Sequence, residues 1–342
     1  MSPKILIFGT GAIGTIYTWV LSQAIPESDL TAVCRSSYDV AARDGLTVNS
    51  QKWGDNLKVR PNVVKSVAEA AEKGEFDYVI VAAKALPTNP STAEIIRPAV
   101  TPGKTAVVLL QNGIGIEEEY VKAFGSEVPV VSTVVYMPAT QTSPAVVAHD
   151  ARIQHLHVGT YPAGESASPL AKERASTLVD LLHNAGAGAT LHDDVQGTRW
   201  DKLLMNAAWN PICALTRLRS VEFGLLGPPP TTDAEAEGGG EGETLLLVRD
   251  VMREVASIAR ACGYTQMDEK AIDRQIDISM QFPYPGNQPS MLADVLEKRA
   301  LEADALVGNA VRIAREKGVD TPVLRTLWLL TRGLSRSFEG GR

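Results

Sequence analysis

Apolar runs alternate with helical stretches over the first half of the chain. Lys4 to Phe8 is a run of strand-forming residues, Thr15 to Leu21 reads as a helix, and Asp29 to Arg35 as a second strand. A helix is expected over 64–73, a strand over 78–84, a helix over 91–96 and a strand over 105–113, with later strands near 130–136, 153–159 and 189–192. Strands that are apolar throughout suit burial on both faces, so the pattern predicts an α/β fold with a parallel, doubly wound sheet. From Thr198 the period turns helical, with helices expected over 198–209, 244–262, 268–280, 291–317 and 321–335. The chain is therefore expected to divide into a sheet domain, 1–195, and an all-helical domain, 196–340. Between the first two helices, 228–243 is acidic, rich in Gly and Pro, and has no apolar side chain larger than Ala or Pro. Such a stretch cannot offset its ordering entropy and reads as a flexible surface insertion.

The first strand runs directly into Gly9-Thr10-Gly11-Ala12-Ile13-Gly14 and then into the first helix. Gly-x-Gly-x-x-Gly in that setting marks a Rossmann-like dinucleotide-binding domain. Gly9 permits the tight turn, Gly11 lets a pyrophosphate approach the backbone, Gly14 allows helix and strand to pack closely, and the helix N-terminus faces the phosphates. The residue that reads the ribose belongs at the end of the second strand, where an acid would bind the 2′-hydroxyl of NAD. This chain offers Cys34-Arg35-Ser36-Ser37 instead. A guanidinium and two hydroxyls suit a 2′-phosphate, which points to NADP(H). Lys84 and Asn112 lie at the carboxyl ends of later strands, within reach of cofactor or substrate, with plain turn residues as the alternative.

In the helical half, Lys202, Asn206 and Asn210 follow at i, i+4 and i+8 and share one helix face, amid Leu, Met, Ala and Trp. Two carboxamides and an ammonium on an otherwise apolar helix cost desolvation unless a ligand or partner satisfies them, so the face reads as a substrate site rather than a solvated stripe. Glu302 falls on the inward stripe of the expected 291–317 helix, with Leu306, Ala310 and Ile313. Lys202 would give that carboxylate a partner, with Lys298 the ordinary intrahelical one. Hydride addition to a ketone leaves negative charge on oxygen, and Lys202 is the natural proton donor, burial lowering its pKa while Glu302 restrains the shift. The histidines His149, His155, His157, His183 and His192 all precede the helical half and read as structural.

Composition narrows the class. The 342 residues exceed what one core usually serves, and 44% hydrophobic content can fill two. A net charge of −7 without a basic run argues against a nucleic-acid partner. Cys34, Cys213 and Cys262 show neither a disulfide framework nor ligand spacing, so no metal and a reducing compartment are expected. No apolar run reaches membrane-span length, and a first strand near Lys4 leads to the expectation of a cytoplasmic protein without a leader or membrane association.

Together, these marks resemble the ketopantoate reductases, or 2-dehydropantoate 2-reductases, over nearly the whole chain. The resemblance rests on the glycine loop, Lys84, Gln111-Asn112-Gly113, the Lys202, Asn206, Asn210-Pro211 helix leading into Ala214-Leu215-Thr216, and Ser290-Met291 followed by Glu302. It implies NADPH-dependent reduction of a 2-keto acid, ketopantoate in the first instance. Lys202 would match the catalytic lysine, Glu302 the assisting acid, Asn206 and Asn210 the substrate-binding amides, and Ser290 a carboxylate or hydroxyl ligand. Arg35 and Lys84 match phosphate-binding positions, and Asn112 one on the nicotinamide side that also meets substrate. Leu301 stands where the family often has Thr, and Val307 where it often has Asn, while Asn309 lies two positions on; the acidic insertion is also longer than usual. These departures keep another branched or aromatic 2-keto or 2-hydroxy acid open as the substrate. A sensor that binds NADP(H) without turnover is the alternative of another class, and a homodimer is an assembly the sequence leaves undecided.

Overall fold

The computed structural model describes residues 2–150, 152–226 and 242–338. Of the acidic stretch 228–243, only the last two residues fall within them, and Glu243 already opens a helix. The chain forms two compact units: Met1–Asn112 with Ile116–Gln196, and Gly113–Gly115 with Gly197–Arg342.

In chain order the strands of the first unit are β1 (Ile5–Phe8), β2 (Leu30–Val33), β3 (Leu46–Ser50), β4 (Gly54–Val59), β5 (Asn62–Val64), β6 (Tyr78–Val81), β7 (Ala106–Leu109), β8 (Val130–Tyr136), β9 (Thr140–Ser143), β10 (Val146–His149), β11 (His155–Tyr161) and β12 (Ala189–Leu191). Eight of them form one sheet in the order β12-β11-β8-β7-β6-β1-β2-β5. Every neighbouring pair is parallel except β8 with β11. The order reverses at β1, which pairs with β2 on one side and β6 on the other, so β1 ends at a topological switch point. The register places Phe8 opposite both Val33 and Val81. Gly9, Cys34 and Ala82 therefore leave the sheet side by side. β2, β6 and β7 are buried at all four positions, as their unbroken apolar runs require.

Sequence periodicity misses several parts of this unit, among them the helices Tyr38–Asp44, Glu117–Phe124 and Pro169–Asn184. The expected helix over 64–73 begins later, as Val67–Ala71, because β5 precedes it. A second sheet, β4-β3-β10-β9, was not anticipated. Its outer strands β4 and β9 are mostly exposed, and although β3–β4 and β9–β10 are each local antiparallel pairs, the central pair joins β3 to β10 across nearly a hundred residues, so nothing local announces that they form one sheet.

From Gly197 onward, the regular elements of the described residues are all helices. Leu203, Leu204, Ala207 and Ala208 of the helix Gln196–Thr216 lie in the core of this second unit. Burying each leucine is worth about 1.5–3 kcal/mol, more than the few tenths that each asparagine costs in helix propensity. The expected helix over 291–317 is broken. It ends at Leu296, Lys298 takes a left-handed conformation (φ 52°), and Arg299 turns back to donate through its backbone N–H and its Nε to Asp294. The chain resumes as a wide turn over Asp304–Gly308 that continues into the helix Asn309–Lys317.

Candidate active site

Four loops meet at the carboxyl edge of the large sheet. Gly9 (φ 99°) packs so closely on the segment after β6 that a Cβ would lie 2.4 Å from the Ala83 nitrogen, and one on Gly14 would lie 2.0 Å from the Gly9 carbonyl oxygen. A Cβ on Gly11 would meet nothing within 4 Å. Two glycines are thus demanded by the fold, while the third faces open space. Gly11 also precedes the helix Ala12–Ser22, which has no side-chain cap and no acid in its first turn. Its first N–H groups have no intrahelical acceptors, which makes a cradle for an anion. Thr10 donates its hydroxyl to the Val33 carbonyl and to Cys34 Sγ, tying the loop to the end of β2.

After β2, Cys34 and Ser37 are buried, leaving Arg35 and Ser36 as the exposed donors. One of the two hydroxyls expected to face a ligand is therefore turned inward. Lys84 is exposed after β6, and Asn112 is half-buried after β7. Gln111, next to Asn112, donates to the Ala83 carbonyl at 2.9 Å and accepts from the Tyr120 hydroxyl, joining the loops after β6 and β7. The open Gly11 and the uncapped helix fit the pyrophosphate of a dinucleotide.

In the helical unit, Lys202, Asn206 and Asn210 do share a face of Gln196–Thr216. Asn210 is buried, and its Oδ1 accepts from Ser290 Oγ at 3.2 Å and from the Met291 N–H at 3.0 Å. It thus serves as acceptor for the first turn of the helix Ser290–Leu296. Its Nδ2 points to Asn206 Oδ1 at 3.4 Å, so Asn206, Asn210 and Ser290 form one polar chain. Glu302 is buried too, but not on the stripe of a long helix. It sits just before the wide turn, where its carbonyl accepts from the Leu306 N–H. The helix break also removes the helical geometry that would have paired it with Lys298.

Burial first and then the positive charge of Arg199 push the Lys202 ammonium down from its usual 10.5 to about 7, with Glu302 working in the opposite direction. Near neutrality this lysine can give up a proton and take one back. Sequence reasoning passed over Arg199. It is 3% exposed and donates through Nη1 to the Gly113 carbonyl at 2.7 Å. Its position three residues before Lys202 was the available signal. Leu301 and Val307 are core residues of the unit, and Asn309 donates through Nδ2 to the Ile114 carbonyl at 2.8 Å. All five histidines lie in the sheet unit and engage hydrogen-bond partners. Among the described residues no group of three or more His, Cys, Asp or Glu could hold a metal ion, and no helix is long and apolar enough to cross a membrane.

Known proteins share this fold. The family model described as ketopantoate reductase PanE/ApbA matches residues 5–163, and that for the ketopantoate reductase PanE/ApbA C terminal matches 194–335. An uncharacterized protein of Saccharomyces cerevisiae is 30% identical, over 96% of this chain and 92% of its own. The crystal structure of 2-dehydropantoate 2-reductase from Methylococcus capsulatus is 29% identical with a TM-score of 0.79, covering 98% of this chain and 97% of that one. D-mandelate dehydrogenase, in a ternary structure with NADH and anilino(oxo)acetate, has the same TM-score at 20% identity over 98% and 99% of the two chains, a likeness of fold alone. With a switch-point glycine loop in one unit, a lysine beside a buried acid in the other, and family matches across both, the chain belongs to the ketopantoate reductases, oxidoreductases that use a nicotinamide nucleotide to interconvert 2-keto and 2-hydroxy acids.

Proposed function

We propose that the protein reduces 2-dehydropantoate to pantoate with NADPH. The observation that carries this reading is Lys202, a lysine held near 7 on the same helix face as two carboxamides and acted on by a buried carboxylate. When bound, the nicotinamide supplies the hydride that adds to the keto carbon. The Lys202 ammonium gives its proton to the oxygen as negative charge develops there, so keto acid, NADPH and one proton become hydroxy acid and NADP⁺. Lys202 then recovers its proton from water. Glu302 keeps enough of the lysine charged for this role, since its negative charge favours the ammonium.

Asn206 and Asn210 offer amide donors to a substrate that carries a carboxylate, and Ser290 fixes the Asn210 carboxamide from the other side. Arg35 and Ser36 would hold the 2′-phosphate, Lys84 the phosphates, and the backbone of Gly9, Thr10, Gly11, Ala12, Ile13 and Gly14 the pyrophosphate. Asn112 would meet the nicotinamide side and the substrate. The chemistry suits the cytoplasm as its setting.

The test is a panel of 2-keto acids, aliphatic branched and aromatic, each with NADPH and NADH, followed by loss of reduced-cofactor absorbance. The highest kcat/KM with 2-dehydropantoate and NADPH is expected. A preference for an aromatic acid would move the substrate assignment while leaving the reaction class. No turnover with any acid in either direction would leave a cofactor-binding protein without catalysis.

A further inference from the structure

Between Asn206 and Asn210 on the helix Gln196–Thr216 stands Trp209, which is 3% exposed. Its Nε1–H is buried and has no hydrogen-bond partner among the described residues. The indole of Trp328, by contrast, donates to Asp304 Oδ1 at 2.8 Å. A buried Trp N–H ordinarily finds an acceptor, and one left without pays the loss of its water. If Trp209 served only to fill the core, a phenylalanine would pack there without that loss.

The position of Trp209 on the helix shows where an acceptor could come from. Seven residues after Lys202, it lies within roughly 20° of the lysine around the helix axis. Met205 and Asn206 are its neighbours one turn earlier, and helical side chains lean toward the N-terminus, so the indole lies over the turn that carries those two residues. Lys202, Met205 and Asn206 are half-exposed, whereas Leu203, Leu204, Ala207 and Ala208 are buried. The half-open strip therefore runs from Lys202 to Asn206 and is closed by Trp209, with Cys213 fully buried one turn further on. Met205, unbranched and flexible, is the neighbour that can turn aside to let a ligand reach the N–H.

We propose that Trp209 is a specificity-determining residue whose indole N–H binds a hydroxyl oxygen at the far end of the substrate. This rests on the reading of the Lys202 face as the site of a 2-keto acid. In that reading the keto oxygen goes to Lys202 and the carboxylate to the carboxamides, which leaves the indole for a third oxygen. A single uncharged donor suits a hydroxyl, and 2-dehydropantoate carries one two carbons beyond its keto carbon. A hydrocarbon or aromatic side chain offers no such acceptor and would leave the N–H buried and unpaired, so the site selects hydroxylated 2-keto acids.

The kinetic test uses the full chain with NADPH and compares 2-dehydropantoate with 3,3-dimethyl-2-oxobutanoate, the same acid without its hydroxyl. In Trp209→Phe, which keeps an aromatic ring and loses the N–H, the ratio of kcat/KM for the two acids should fall by about 2- to 12-fold, the net worth of one neutral hydrogen bond. The binding test follows the indole N–H signals by ¹H–¹⁵N NMR in the presence of NADP⁺ and the hydroxy acid products. Pantoate should shift the Trp209 signal, assigned by its loss in Trp209→Phe, and 2-hydroxy-3,3-dimethylbutanoate should leave it in place. Should Trp209→Phe fail to fold, Phe variants of Trp19, Trp53, Trp200 and Trp328 assign the signal by elimination, and the NMR comparison decides. An unchanged ratio, or an indole that responds alike to both hydroxy acids, would overturn the proposal and leave 2-keto acid reduction standing. Failure of both acids to bind or react would overturn the two readings together.

Discussion

Replacing Lys202 with Met should make the protein more stable and far less active, and the gain in stability should depend on pH in a defined way. A methionine keeps the straight stem and removes the ammonium. Lys202 titrates near 7 in the folded chain and near 10.5 when exposed, a gap of about 3.5 units. At about 1.36 kcal/mol per unit, this charge costs the folded state up to roughly 5 kcal/mol. Because the folded value lies below the unfolded one, the unfolded chain binds more protons between pH 7 and 10.5. The stability of the unmodified protein therefore rises with pH through that window, and the penalty is fully present below it. Lys202→Met has no such slope. Urea unfolding at pH 7, 8 and 9 should show the variant's advantage growing by about 1.4 kcal/mol for each unit of pH decrease, while kcat falls by about 10²- to 10⁴-fold, the usual worth of a positioned acid. A difference in stability that is flat with pH would refute the buried, depressed lysine, and an unchanged kcat would refute its role.

The glycine loop gives a paired test. Gly14→Ala should cost several kcal/mol, since its methyl would lie 2.0 Å from a backbone oxygen, whereas Gly11→Ala should melt normally and bind NADPH at least tenfold more weakly. Melting curves and fluorescence titration separate the two, and a Gly11→Ala protein with full affinity would mean that no phosphate approaches there. Arg35→Ala should abolish most of the preference for NADPH over NADH, and equal affinities in the unmodified protein would remove the 2′-phosphate assignment. Asn210→Ala should lose about 1 kcal/mol through the helix start it serves as well as raising KM, while Ser290→Ala, at an exposed position, should raise KM alone; equal melting losses would contradict that division.

The sheet and its glycine loop were legible because each buried strand is an unbroken apolar run and because two of the three glycines answer to backbone contacts that no other residue allows. Lys202, Asn206 and Asn210 were legible from spacing alone, since helix geometry places i, i+4 and i+8 together whatever surrounds them. Glu302 is buried, but not on the helical stripe where the sequence pattern placed it. No glycine or proline marks the break after Leu296, where Lys298 takes the left-handed turn, so the sequence pattern carried one helix across it. Arg199 was passed over because an arginine one turn before Lys202 looks like a surface charge; its bond to the Gly113 carbonyl spans 86 residues, which only the folded chain brings together.

The strap at Gly113–Gly115 also decides how this protein can be cut. A gene divided after residue 196 would look like a clean separation of sheet from helices, yet the helical product would lack three residues of its own compact unit. The Ala305 carbonyl would lose the Ile114 N–H, the Asn309 amide the Ile114 carbonyl, and Arg199 Nη1 the Gly113 carbonyl. A fragment meant for study in isolation would need that tripeptide returned, fused ahead of Gly197 through a linker or supplied as a peptide in trans. On the ribosome the same constraint sets an order of events: the strap is synthesised more than eighty residues before the helix that grips it, and must wait for a partner not yet made.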